Sequence, residues 1–91
     1  GKWSLAPAFD ICHTFNPSNP WVNRQALSVN GKRSNIGPED FTKVAENMNI
    51  RRSARLTERV NDTVRNWPFY AEKANVDEKL MESVKSTLLC L

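Results

Sequence analysis

Few side chains in this 91-residue chain have the type and spacing to do chemistry. Asp10 lies within Leu5-Ala6-Pro7-Ala8-Phe9-Asp10-Ile11, an acid held between apolar residues. Burying such a carboxylate is costly unless its charge is paired, and a divalent metal is one natural partner. Capping a helix or accepting backbone N–H bonds is the other role open to it. A second group is Arg51, Arg55 and Arg59. Positions four apart on a helix drift by only about 40°, so the three guanidinium groups would form a stripe, with Arg52 beside it and Lys32-Arg33 as an extension. Contact with DNA phosphates suits such a stripe. Glu58 and Asp62 fall among the arginines at three-residue spacings, which describes instead a solvated, salt-bridged face.

The remaining chemistry is sparse. His13 is the only histidine, and with its neighbour Cys12 it cannot supply the three or four ligands of a zinc site. No sequence signal places a serine beside it as a nucleophile, so it reads as a structural histidine. Three glycines, Gly1, Gly31 and Gly37, cannot build a phosphate-cradling loop. Cys12 and Cys90 lie near opposite ends without C-x-x-C spacing and read as reduced thiols.

The elements that must position these groups follow from punctuation and periodicity. Trp3 to Ala6 reads as the end of a strand whose partner lies outside the chain, and 14–23, with two prolines and three asparagines, as a loop. Ala26 to Val29 is a brief strand candidate entering a tight turn at Asn30-Gly31, a short hairpin. From Pro38 onward the chain reads as helix. Pro38 suits the first helical position, and Glu39 and Asp40 complement the helix dipole. Phe41, Val44, Ala45 and Met48 form an apolar stripe, stopped by Asn49. A second helix from about Arg51 places Leu56, Val60, Val64 and Trp67 on one side, until Pro68 ends or kinks it and Phe69 to Ala71 continue as a separate turn. In the last helix, Asn75 caps with Glu78 reaching back, and Leu80, Met81, Val84 and Leu88 are its buried face. Trp67 reads as core, and Trp21, in the proline-rich loop, as an exposed contact residue. The expected architecture is mainly α. It is one domain over 1–91, with a strand, loop and hairpin segment at 1–36 and a bundle of three main helices at 37–91.

Composition narrows the function classes. A net charge of +3 is mild for a dedicated nucleic-acid binder, and no apolar run approaches the roughly 20 residues of a membrane span. A cytoplasmic protein without membrane partners is expected. Gly1 opening directly into an apolar segment suggests a piece of a longer polypeptide.

Leu5-Ala6-Pro7-Ala8-Phe9-Asp10-Ile11, then Leu27-Ser28-Val29-Asn30-Gly31-Lys32, Pro38-Glu39-Asp40-Phe41 and the Trp67-Pro68 helix together resemble the C-terminal region of HipA-like serine/threonine protein kinase toxins, in order from Gly1 to about Ala74. The resemblance implies a subdomain of a protein-kinase-like fold whose parent transfers the γ-phosphoryl of ATP to a serine or threonine of a translation-related protein, in a toxin–antitoxin system. It makes Asp10 the counterpart of the kinase DFG aspartate, holding Mg²⁺ against the ATP phosphates. Phe9 stands where tyrosine is more usual, which loses a hydroxyl. The ATP-covering loop, phosphate-binding lysine, catalytic aspartate and second metal-binding asparagine precede this region in such kinases. No complete catalytic site and no bound Mg²⁺ or ATP are therefore expected of this chain alone. The implied partners are the upstream part of the kinase, a helix-turn-helix antitoxin and, through that complex, operator DNA. A small helical module binding DNA or antitoxin through its basic face is the alternative.

Overall fold

Pro38 begins the regular structure. In the computed structural model, which describes residues 1–91, α1 spans Pro38–Asn47, α2 Ser53–Arg65, α3 Trp67–Lys73 and α4 Glu78–Lys85, and there is no strand. Pro38 takes the first position of α1, where a missing N–H costs nothing. At the third position, the Asp40 carboxylate accepts the Gly37 N–H at 2.9 Å.

Two asparagines close helices in the same way. Asn49 and Asn75 adopt left-handed φ of 56° and 58°. Behind them, Ile50 N–H donates to the Ala45 carbonyl at 2.8 Å and Asn49 N–H to Glu46 at 3.2 Å. Val76 N–H likewise donates to Ala71 at 2.9 Å and Asn75 N–H to Glu72 at 3.0 Å. These paired bonds are Schellman closures that satisfy the last carbonyls of α1 and α3. The cap expected of Asn75 on the last helix is therefore corrected. Its backbone is committed to ending α3, and Asp77 caps α4 by accepting the Leu80 N–H at 3.4 Å.

The helix count rises from the expected three to four. Pro68 prevents continuation of α2 past Arg65, because its ring removes a donor and clashes with the preceding turn. The same residue sits comfortably in the first turn of a new helix, α3.

The N-terminal strand is absent. Trp3–Ala6 has no regular structure, because a strand needs a ladder partner and this chain places none opposite it. The hairpin reduces to one antiparallel bridge, Val29 to Lys32, with N–H···O distances of 2.8 and 3.0 Å. Its turn is as expected: Asn30 and Gly31 have φ of 51° and 76°, the left-handed pair that a two-residue hairpin turn requires.

Helices α1 and α2 pack together, α2 meets α3, and α3 packs on α4. Ala45 and Ala71 are the only fully buried apolar residues. Helix α2 is turned from its expected orientation. Leu56 and Val60 are exposed, whereas Thr57, Asn61 and Val64 face inward. The Asn61 amide explains the turn: it donates to the Leu91 carbonyl at 2.7 Å and accepts the Leu91 N–H at 2.8 Å, fastening the C-terminal tail across this face. Trp67 is half-buried rather than core, and its indole N–H donates to the Met81 carbonyl at 3.0 Å, joining α3 to α4.

The whole chain exposes 8426 Å². A compact monomer of 10.4 kDa exposes about 5,400 Å² by mass scaling. The radius of gyration, 15.5 Å, likewise exceeds the roughly 12 Å of a compact domain this long. No helix is long and apolar enough to cross a membrane.

Candidate functional site

Asp10 is exposed, with φ of 55°. Aspartate is among the residues that visit this left-handed region most readily. Its carboxylate caps no helix and makes no ion pair. Nor do other donors join it, since no group of three or more His, Cys, Asp or Glu side chains converges anywhere in the chain. Mg²⁺ retains its waters unless several oxygen ligands meet, so the residues of this chain do not by themselves fit the ion.

The arginines line one hollow together. Arg51 and Arg52 lie in the turn before α2, Arg55 and Arg59 on its first turns, and the four line one shallow hollow of about 410 Å³ with Leu56 among them. None of the four pairs with a carboxylate. The expected interleaved salt bridges do not form. Asp62 instead meets Arg65 at 3.1 Å, and Glu58 makes no ion pair. Lys32 and Arg33 do not extend the patch either. Lys32 is drawn 3.1 Å from Asp40, and Arg33 donates to the Gln25 carbonyl at 2.7 Å.

Local charge around this hollow runs against helix stability. Arg51, Arg52 and Arg55 gather at the positive end of the α2 dipole, with Arg59 one turn further along, no acid occupies its first turn, and no side chain caps it. Arg52, the N-cap residue, has φ of 59°, a conformation costing about 1 kcal/mol or more for a residue with a Cβ.

Asp40 is a polar centre whose full role the sequence did not disclose. It is 1% exposed, and its carboxylate accepts from the Gly37 N–H, the Asn30 amide at 2.9 Å and the Lys32 ammonium at 3.1 Å. The Gly37 N–H, then the Asn30 amide and the Lys32 ammonium, hold its pKa down from 3.8 to about 2, against the opposing effect of burial. This network ties the Asn30-Gly31 turn to the start of α1. Dipole complementarity had been the only role visible for Asp40; Lys32, eight residues upstream, gave no signal of pairing with it.

His13 is exposed, and its Nε2 lies 2.9 Å from Thr87 Oγ1. The Thr87 hydroxyl gives its only proton to the Val84 carbonyl at 2.7 Å, so the imidazole must be the donor to Oγ1. This contact pins the N-terminal segment to the end of α4 beside an open cleft of about 610 Å³. Trp21 lines that cleft and is exposed, as its proline-rich loop suggested.

Comparison with known protein families, with characterised proteins and with solved structures finds no match to this chain. Its function rests on its own residues.

Proposed function

We propose that this chain is a C-terminal helical subdomain of a HipA-like kinase, which completes its core by docking against the rest of that protein and carries Asp10 to a shared Mg²⁺–ATP site. One observation carries this reading. The segment around Asp10 is apolar, yet nothing in the chain covers it: Trp3, Leu5, Phe9 and Ile11 are all largely exposed. Those four share the odd positions from 3 to 11 with Pro7, which has no N–H to give a ladder and divides the segment into two short extended pieces, and Lys2, Ser4, Ala6, Ala8 and Asp10 take the even positions. That is the two-residue period of a strand with one apolar face. Added to the edge of a neighbouring sheet, the segment would bury the large side chains and present Asp10 on the opposite, small-residue face. The roughly 3,000 Å² exposed beyond a compact monomer of this mass is of the size that obligate interfaces remove.

In this reading the parent phosphorylates serine or threonine of a protein target, works in the cytoplasm, and is restrained by a helix-turn-helix antitoxin. The test is the whole kinase carrying Asp10→Asn. Autophosphorylation should fall by about two orders of magnitude or more, the scale on which a charge-stabilising group acts. Unimpaired autophosphorylation refutes the role given to Asp10.

A second reading, a DNA- or antitoxin-binding module, is favoured by the four unpaired arginines. It requires that the chain bind duplex DNA with an affinity that falls steeply as salt rises. Salt-insensitive binding, or none, removes it.

A further inference from the structure

Charge in the arginine hollow is concentrated rather than spread. Arg51, Arg52, Arg55 and Arg59 surround one concavity, all four are exposed, and no acidic side chain lines it. Arginine forks are suited to phosphate oxygens, which they can grip with two parallel N–H bonds. A diester backbone brings one charge per phosphate along an extended path, so a single hollow would meet only a small part of it. A chain of linked phosphates brings several charges into one place and matches four convergent guanidinium groups. The nearby amino end of α2 adds to the same field, and its first turn holds no acid that would offset it.

We infer that this hollow is a binding site for a linked polyphosphate, a tri- or longer phosphate group, whether free or carried on a nucleotide. The inference rests on the basic-face reading and narrows its ligand to clustered phosphate. Arg55 and Arg59 grip from the helix, Arg51 and Arg52 from the turn that precedes it.

Calorimetric titration of the 91-residue chain with tripolyphosphate, ATP and a short DNA duplex at matched ionic strength tests this. Tripolyphosphate should bind saturably with one site per chain, ATP should bind at the same site within about threefold, and duplex should bind more weakly and be displaced by tripolyphosphate. Replacing Arg55 and Arg59 together by alanine should weaken tripolyphosphate at least about tenfold. Arg24→Ala removes one charge outside the hollow, half of what the double variant removes, and should change affinity less than about twofold. The Arg55→Ala, Arg59→Ala variant should melt at the same or a higher temperature without ligand, since both residues are exposed on a helix, alanine favours helix, and loss of Arg55 removes a cation from the helix N-terminus, which keeps loss of binding distinct from loss of fold. Arg55→Lys retains the charge and loses the fork, and should weaken tripolyphosphate by an intermediate amount. Binding of duplex with a steep salt slope but none of tripolyphosphate overturns this inference and leaves the basic-face reading standing. Binding of neither overturns both. An equal loss in Arg24→Ala, or binding of ATP without tripolyphosphate, also overturns it.

Discussion

The two halves of this chain satisfy their backbones by different means. From Pro38 to Lys85 nearly every element is closed locally: a proline and an acid at the start of α1, paired Schellman bonds behind Asn49 and Asn75, and the Asp77 cap on α4. Residues 1–36 contain one β-bridge and otherwise no regular structure, while Trp3, Leu5, Phe9 and Ile11 stand in solvent. Helix hydrogen bonds are made within the segment, whereas strand bonds need a second segment at the right distance. The helical half is therefore complete with what the chain contains. The N-terminal half leaves its large apolar side chains uncovered and forms no sheet.

The contrast can be broken first at Asp40, whose network joins the turn at Asn30-Gly31 to α1. Its folded pKa is depressed, so the stability it supplies is fully present above its ordinary value of 3.8 and is lost as pH falls through about 2. Thermal melts across this acid range should show a falling midpoint in the parent chain. Asp40→Asn should abolish that dependence and give the largest loss of stability among the changes considered, because it removes the negative charge facing the Lys32 ammonium and puts an NH2 donor in place of one of the two oxygens that accept from Asn30, Lys32 and Gly37. A slope unchanged in Asp40→Asn would place the acid sensitivity elsewhere.

A smaller effect is expected at Asn61. Removing its amide in Asn61→Ala leaves the Leu91 N–H and carbonyl without their partners and should cost about 1–3 kcal/mol in denaturant titration. Amides in the tail, from Thr87 onward, should exchange faster in the same variant. The smallest effect sharpens the comparison from the other side. Trp3→Ser with Phe9→Ser should change the stability of the isolated chain by less than about 0.5 kcal/mol, because neither ring is buried. Under the proposed kinase reading, the same pair should also prevent docking against the rest of the parent protein. A large loss in the isolated chain would mean that the rings pack within it.

What could be read from sequence divides along the same line. Pro38 as a helix start, Asn49 as a left-handed stop and the Asn30-Gly31 turn all depend on a few adjacent residues, and all stand. The strand at Trp3–Ala6, the Asn75 cap and the orientation of α2 depend on what lies across space, and these changed. Leu56 and Val60 have helical spacing that points to a core, yet the Asn61–Leu91 clamp takes the inner face. The arginines were visible as a cluster, but the turn at Arg51-Arg52, which converts a stripe into a hollow, and the absence of partners for Glu58 were not. Asp10 was singled out as an acid among apolar residues whose burial would require a paired charge; it is exposed, so that argument does not apply to this chain alone, and its Mg²⁺ role remains a proposal resting on the docked form.

Amide hydrogen exchange over residues 3–11, compared between the isolated chain and the same residues within the proposed parent kinase, tests the docking account most directly. In isolation these amides should exchange at the rate of an unstructured peptide, and in the proposed parent the amides on either side of Pro7 that enter a ladder should slow by at least about a hundredfold. Protection already present in the isolated chain, or none in the kinase, would contradict the account.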